Sequence, residues 1–216
     1  MIQVDVWSDI ACPWCYIGKR RFAEGVRRFQ AAGGDAEVSV TYHSFELAPD
    51  TPVDFDGNEI DFLVRHKGMA AGQVRQMLAH MVELAATEGL AYDFDSLQHT
   101  NTRKAHELLH IAKAAGVQEA MKERLLEAYF TQGRHLGHLD ELADLAADVG
   151  LDRAAVLRQL DAATYAPAVQ ADVDQARGYG INGVPFFVLD GRYGVSGAQN
   201  PDAFAEVLAK VVAERG

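Results

Sequence analysis

The sequence predicts an α/β fold in which a large all-helical segment interrupts a small sheet-containing domain. Three observations lead to this prediction. The first 47 residues contain two segments with the two-residue alternation of strands, separated by a helical pattern. Residues from about Glu59 to Gly178 show helical spacing of apolar side chains, and the C-terminal region returns to strand patterns before a final helix.

The N-terminal region reads as strand, helix, strand. In "IQVDVW", Ile2, Val4 and Val6 alternate with other side chains, so one face of this strand would be buried. Larger apolar residues then recur at nearly 3.6-residue spacing until "AAGGD", whose glycines end the helix. The next segment, "AEVSVTYHSFEL", alternates again and predicts the second strand.

The central segment predicts five or more helices. Glycines mark its breaks, near Gly89, Gly116, Gly133 and Gly150. The stretch "NTRKAHELLHIAKAAG" carries apolar residues at i, i+3, i+4 and i+7, as one buried helix face requires. Its helix would begin after Asn101 or Thr102 as the N-cap and end at Gly116.

The C-terminal region predicts a hairpin and a helix. "GVPFFVLDGRYGVSG" contains an apolar run, a turn at Asp190 and Gly191, and a second short strand. Asn200 and Pro201 are suited to the N-cap and first position of the last helix. Because neither end can bury a sheet alone, we expect residues 1–56 and 173–216 to form one domain, with residues 57–172 as an inserted helical domain.

Composition restricts the class of partner. The 216 residues are 49% hydrophobic and 24% charged, and no apolar run approaches the roughly 20 residues of a membrane span. A formal net charge of −11 argues against nucleic acid or an anionic membrane as partner, since both require basic patches. The start, "MIQVDVWSD", lacks the pattern of a secretory signal, so we expect a cytoplasmic protein.

The two cysteines of the chain, Cys12 and Cys15, lie in "SDIACPWCYIG". A structural zinc site normally needs four ligands, and there is no other cysteine. A disulfide across so short a loop would stabilise the fold by only roughly 2 kcal/mol. The spacing at a strand-to-helix turn favours a redox-active dithiol over buried inert cysteines.

The position of Cys12 at the start of the first helix supports this interpretation. Backbone N–H groups and the helix dipole favour a thiolate there, and Cys15 would lie one turn further along on the apolar face. Pro13 suits the first helical turn, because its missing N–H is not needed there. Trp14 adds apolar surface beside a thiol that we expect to be exposed.

A competing motif is "HELLH", from His106 to His110, which matches the H-E-x-x-H pattern of zinc hydrolases. Short matches of this kind arise easily in a helix rich in His, Glu and Leu, so packed or solvent-flank histidines are the favoured interpretation. The remaining histidines, including His135 and His138, show no spacing that demands a metal. We therefore expect no metal site.

Four segments together resemble the DsbA-like family of the thioredoxin superfamily, and its FrnE branch in particular. They are "DIACPWCYIG", "NTRKAHELLHIAKAAG", "EAYFTQGR" and "GINGVPFFVLDGRYGVSGAQ". The resemblance implies a thioredoxin-like fold with a large all-helical insertion and thiol–disulfide oxidoreductase activity. It also implies that Cys12 is the cysteine that attacks the substrate disulfide, that Cys15 resolves the mixed disulfide, and that Pro185 is the cis-proline facing them. The alternative for Pro185 is an ordinary trans peptide bond. In the cis form, the backbone of Val184 would be free to pair with substrate.

The wider family includes kappa-class glutathione transferases and 2-hydroxychromene-2-carboxylate isomerases, which are similar in architecture but have serine at the position of Cys12. Glutathione-dependent transfer or isomerisation is therefore the alternative function. By analogy, a low-molecular-weight thiol such as glutathione would bind near Val184, Ser196 and Gln199, with no other cofactor.

Trp14 stands where the periplasmic relatives have histidine, so no cationic group there stabilises a thiolate. The substrate would be a disulfide-containing protein or a small thiol, and the protein a monomer or homodimer; docking of a partner without turnover also remains open.

Overall fold

The computed structural model describes residues 1–215, which divide into two compact units. The first comprises Met1–Leu47 and the residues from Gln170 onward, and the second comprises Ala48–Val169. Both divisions fall before the sequence-based boundaries at 56/57 and 172/173. Hydrogen bonds account for the difference: Asn101 Nδ2 donates to the carbonyl of Thr51 within the second unit, and Asp172 accepts from the backbone N–H of Ser44 within the first.

The first unit contains a four-stranded sheet. Its strands are β1 (Ile2–Ser8), β2 (Val38–Ser44), β3 (Phe186–Leu189) and β4 (Tyr193–Ser196), in the order β2-β1-β3-β4. β1 pairs with β2 in parallel and with β3 antiparallel, and β3 and β4 form an antiparallel hairpin. The two ends of the chain therefore share one sheet, as the sequence predicts.

The described part of the chain contains nine helices. They are α1 (Pro13–Ala31), α2 (Glu59–Lys67), α3 (Ala71–Thr87), α4 (Arg103–Ala114), α5 (Gln118–Thr131), α6 (Leu139–Asp148), α7 (Arg153–Asp161), α8 (Ala166–Gly178) and α9 (Pro201–Ala213). The mixed α/β class and the helical insertion are both confirmed. No helix among the described residues is long and apolar enough to cross a membrane.

Aromatic packing forms the core of the first unit. Phe22 of α1 stacks on Phe187 of β3 with ring centroids 5.2 Å apart, and the ring of Phe204 from α9 meets both at steep angles. α1 and α9 approach closely at Gly25, where an added Cβ would lie 2.5 Å from the Cβ of Phe204. This contact packs α9 against α1, the helix that begins immediately after Cys12.

Local signals set the element ends as the sequence indicates. Asp190 and Gly191 both have positive φ, of 52° and 65°, in the turn between β3 and β4. The Asn200 side chain accepts from the backbone N–H of Ala203 at the start of α9. In the second unit, Gly116 adopts a φ of 76° just after α4 and ends that helix.

Candidate active site

The sheet topology brings the cysteine turn and the proline loop to the same end of the sheet. β1 and β3 are antiparallel, and Trp7 near the end of β1 pairs with Phe186 at the start of β3. Cys12 follows β1 by a short turn, while Pro185 directly precedes β3. The Val184–Pro185 peptide bond is cis. Two segments far apart in sequence thus meet beside the N-terminus of α1.

Cys12 and Cys15 are both free thiols at the start of α1. Cys12 is the N-cap residue, with extended φ and ψ of −93° and 110°, and its carbonyl accepts from the N–H of Cys15 at 2.9 Å. The Cys12 Sγ donates a hydrogen bond to the carbonyl of Val184 at 3.5 Å. The proline loop therefore provides a direct partner for the first thiol.

The expectation of an exposed thiol at Cys12 is wrong. Cys12 is only 4% exposed and Cys15 3%, whereas Trp14 between them is 40% exposed. The physical reason is the contact with the Val184 carbonyl, which occupies one side of the sulfur. Trp14 and the half-buried Pro13 remain at the surface beside the thiols.

The surroundings of Cys12 favour its protonated form. The hydrogen bond with Cys15 and then burial raise the pKa of the Cys12 thiol well above its ordinary value, and the negative charges of Cys15 and Asp9 raise it further. The backbone N–H of Cys15 acts in the opposite direction and lowers this pKa. The helix N-terminus thus stabilises a thiolate, as the sequence suggests, but the hydrogen bond with Cys15, burial and the neighbouring negative charges outweigh it.

Asp9 is a site residue that sequence reasoning missed. It is 2% exposed, and its carboxylate accepts from the backbone N–H groups of Leu47, at 2.8 Å, and Ala11, at 3.4 Å. These bonds hold an anion in the turn between β1 and α1, close enough to act on Cys12. The only sequence signal was an acidic residue three positions before the first cysteine.

Gly18 permits the close approach of α1 to the proline loop. A Cβ added there would lie 2.8 Å from Cγ of Pro185 and 3.5 Å from Cβ of Ala198. Arg21, one turn further along α1, donates from a guanidinium nitrogen to the carbonyl of Ala198 at 2.9 Å. Neither residue was predicted to belong to the site, since both contacts join distant segments.

Ser196 is the last residue of β4 and Gln199 lies in the turn that follows it, and both are exposed. Their turn reaches the proline loop, because the N–H of Gly197 donates to the carbonyl of Pro185 at 2.8 Å. The Gln199 side chain donates to the carbonyl of Ser196 at 2.7 Å and so closes the turn on itself. The sequence-predicted site residues thus lie in α1, at its N-cap, in the proline loop, or at the end of β4 and in the turn after it.

The H-E-x-x-H motif lies on α4, and none of its residues belongs to the group of three metal-binding donors found among the described residues. His106 and His110 are 0% and 8% exposed, and His110 stacks on Tyr165. Glu107, which would serve as the base of a zinc hydrolase, forms an ion pair with Lys104 at 3.0 Å. The geometry accords with the interpretation of this motif as packed helix residues.

The first unit has the features that define a thioredoxin-type protein. One four-stranded sheet combines a parallel strand–helix–strand unit with an antiparallel hairpin followed by a helix, and two cysteines lie at the N-terminus of the first helix. The sequence model of the DSBA-like thioredoxin domain matches residues 3–209. The chain belongs to this family, whose members are disulfide oxidoreductases and related isomerases.

Known relatives agree with this assignment. The probable DsbA oxidoreductase SCO1869 of Streptomyces coelicolor is 39% identical, with a TM-score of 0.91 over 100% of this chain and 92% of that one. Uncharacterized protein YwbO of Bacillus subtilis is 27% identical, covering 96% of each chain.

Two more distant structures share the fold. A 2-hydroxychromene-2-carboxylate isomerase is 15% identical with a TM-score of 0.75, covering 99% of this chain and 97% of that one. The cytosolic disulfide reductase DsbM of Pseudomonas aeruginosa, solved with GSH, is 20% identical with a TM-score of 0.64, covering 98% and 99%.

Proposed function

We propose that this protein is a thiol–disulfide oxidoreductase of the FrnE branch, with Cys12 and Cys15 as its redox-active dithiol. The observation that carries the proposal is the pair of free thiols at the N-terminus of α1, with the Cys12 sulfur hydrogen-bonded to the carbonyl of Val184. A dithiol placed in this way can exchange with a substrate disulfide.

The exchange takes place in two steps. The Cys12 thiolate, formed by loss of its proton, attacks one sulfur of a substrate disulfide; a mixed disulfide forms and the other substrate sulfur leaves as a thiolate. Cys15 then loses its proton and attacks the Cys12 sulfur, which forms the Cys12–Cys15 disulfide and releases the second substrate sulfur. Two electrons pass from the dithiol to the substrate, and the reverse sequence oxidises a substrate dithiol.

The proline loop provides the substrate position. The Val184 carbonyl that accepts from Cys12 in the reduced protein lies where an extended substrate segment could pair with the backbone. Trp14, the exposed side chain between the thiols, offers apolar contact beside it. Substrates would therefore approach along Pro13, Trp14 and the segment ending at Pro185.

The protonation of Cys12 bears on the direction of exchange. Strong oxidants of this superfamily have a stabilised thiolate, which favours their reduced form. Here the Cys15 hydrogen bond and burial raise the pKa of Cys12, so the reduced form lacks this stabilisation. A reductase role is therefore the direction that the raised pKa favours. The compartment would be cytoplasmic and reducing, and the protein a monomer or homodimer.

The partner is a disulfide-containing protein or a small thiol. Glutathione is the candidate small thiol, because DsbM, a disulfide reductase that shares this fold, has been solved with GSH. The turn from Ser196 to Gln199 is the exposed segment connected to Pro185, so it would contact such a molecule. The glutathione-dependent isomerase remains the second candidate, supported by the shared fold.

The test is redox titration of the purified protein in glutathione buffers, with Cys12→Ser and Cys15→Ser variants and an insulin-reduction assay. We expect one two-electron transition that both variants lose. Cys12→Ser should abolish disulfide reduction, whereas Cys15→Ser should accumulate a mixed disulfide, because its resolving thiol is missing. Ser39→Ala, on an exposed position of β2, controls for a conservative substitution away from the thiols.

Insulin reduction that persists in Cys12→Ser would contradict the proposal. Isomerisation of a 2-hydroxychromene-2-carboxylate that requires glutathione and survives in Cys15→Ser would instead support the second candidate, since that reaction needs no resolving thiol.

A further inference from the structure

Two histidines and an aspartate meet on the surface of the helical unit. Asp54, His135 and His138 each present a donor atom, and these three atoms lie within 4.8 Å of one another. Asp54 Oδ1 is 2.8 Å from Nε2 of His138 and 3.6 Å from Nε2 of His135. The sequence places Asp54 more than 80 residues before either histidine, so the spacing did not reveal the cluster.

We propose that Asp54, His135 and His138 form a Zn²⁺ site, with solvent as the fourth ligand. Two imidazoles and a carboxylate are a common ligand set for zinc, and an open fourth position is typical of sites with three protein ligands. This proposal revises the expectation that the chain has no metal site. It concerns residues remote in sequence from the cysteines and does not depend on the proposed redox function.

The distances between the donor atoms need only small changes to reach those of a zinc site. With metal–ligand distances of about 2.0–2.2 Å, tetrahedral donors lie about 3.3 Å apart. The contact from Asp54 to His138 would lengthen by about half an ångström, and that to His135 would shorten by less. The two imidazole rings are stacked, with centroids 3.7 Å apart and planes inclined by 14°. Because a metal ion lies in the plane of each imidazole that binds it, the half-exposed His138 ring must turn about its side-chain torsions to bring both Nε2 atoms onto one ion.

The ligand-bearing segments are held in place before any ion arrives. The carbonyl of Val53, next to Asp54, accepts from Oγ1 of buried Thr100 at 2.7 Å. Between the histidines, Gly137 packs so closely that a Cβ there would lie 2.3 Å from Thr100 Oγ1. Thr100 thus touches both segments that supply ligands. Backbone segments that are already ordered lower the cost of fixing the ligands on binding.

The ion has a route to the site and an available donor on each residue. Asp54 and His138 have side chains 79% and 50% exposed, while that of His135 is 12% exposed. His135 Nδ1 accepts a long hydrogen bond of 3.3 Å from the N–H of Gly137. Zinc at Nε2 therefore requires the His135 proton to move to Nδ1, which opens this one weak contact.

The decisive measurement is zinc binding to the full-length chain carrying Cys12→Ser and Cys15→Ser, because free thiols also bind zinc. After treatment with a chelator and its removal, Zn²⁺ is titrated against a chromogenic competitor. We expect one ion per chain. Asp54→Asn, His135→Gln and His138→Gln should each weaken binding by about tenfold or more, since loss of an outer-shell partner alone costs about that much.

His80→Gln serves as the matched control, because His80 lies on α3 of the same unit with a side chain 76% exposed. It should leave zinc affinity unchanged. Circular dichroism of each variant checks the fold, and Co²⁺ absorption should show bands of a low-coordinate nitrogen and oxygen site. Absence of saturable binding, or equal affinity in all four variants, would overturn the proposal.

Discussion

The hydrogen-bond network at Asp172 permits a quantitative prediction for the first unit. The Asp172 carboxylate accepts from His43 Nδ1 and from the buried N–H of Ser44, both at 2.8 Å. Asp172→Ala would leave the Ser44 N–H without its partner, at about 1–3 kcal/mol, and remove a charge-assisted bond worth about 1.5–3 kcal/mol. Because His43 keeps Asp5 as a partner, we expect Asp172→Ala to lower the free energy of unfolding by about 3 kcal/mol.

The assay is urea unfolding followed by the fluorescence of Trp7. This side chain is 1% exposed, stacks on His43 with ring centroids 4.6 Å apart, and donates to the carbonyl of Asp172. A Trp14→Phe background leaves it as the single tryptophan. With a slope of about 2 kcal/mol per molar urea, the midpoint should fall by about 1.5 M.

The network also makes stability depend on pH. Burial lowers the pKa of His43, but the hydrogen bonds with Asp172 and Asp5 outweigh burial, so its pKa is raised. Its stabilising contribution is therefore complete below the unfolded pKa of about 6.5 and is lost as pH rises through the folded value. Asp172→Ala should reduce this dependence.

Asp174→Ala is the control, because Asp174 lies on the same helix with a side chain 59% exposed and pairs with exposed Arg177. It should change the free energy of unfolding by no more than about 0.5 kcal/mol. Equal midpoints for Asp172→Ala and Asp174→Ala, or an unchanged pH profile, would refute the role given to the network.

Three further predictions concern the site and its supporting helix. The rate of Cys12 alkylation, measured by peptide mass spectrometry, should increase about tenfold per pH unit between pH 7 and 9, because the raised pKa keeps the thiol mostly protonated in this range. A plateau of the rate between pH 7 and 9 would contradict the raised pKa. Asp9→Asn removes one of the charges that raise this pKa and should speed alkylation at pH 7 by about 2–10-fold; an unchanged rate would exclude an effect of Asp9. Gly25→Ala should lower the stability of the protein in thermal unfolding by about 1–3 kcal/mol, because the added Cβ meets Phe204. Gly72→Ala is the control: the space around Gly72 is open, so this variant should be neutral or more stable by up to about 1 kcal/mol. Equal effects of the two substitutions would argue against tight packing at Gly25.

Much of the fold is predictable because its signals are local. Alternation in "IQVDVW", the turn residues Asp190 and Gly191, and the cap at Asn200 each act over a few positions. The family resemblance then suggested which segments face one another, and the cysteine pair and Val184–Pro185 do lie together. Local chemistry and the resemblance were sufficient for these features.

The surroundings of the thiols could not be predicted in the same way. The pKa of Cys12 depends on its hydrogen bond with Cys15, its burial and the charge of Asp9, whereas the sequence indicated only the helix N-terminus. The Asp54 cluster and the pairing of His43 with Asp172 join positions 81 or more residues apart, and no spacing rule relates them. Such sites arise from tertiary contacts, which single-sequence periodicity does not encode.

Strand β1 is synthesised long before its partner strand β3. The hydrogen bond from Gln3 to Asp190 spans 187 residues, so at about 5–20 residues per second its partner emerges about 10–40 s later during synthesis. Throughout that interval the helix bearing Cys12 and Cys15 can form, but the Val184 carbonyl that contacts the first sulfur does not yet exist. Until the proline loop has been synthesised, the nascent chain therefore carries a dithiol that the Val184 carbonyl does not cover, and this protection from alkylation or oxidation is acquired only afterwards.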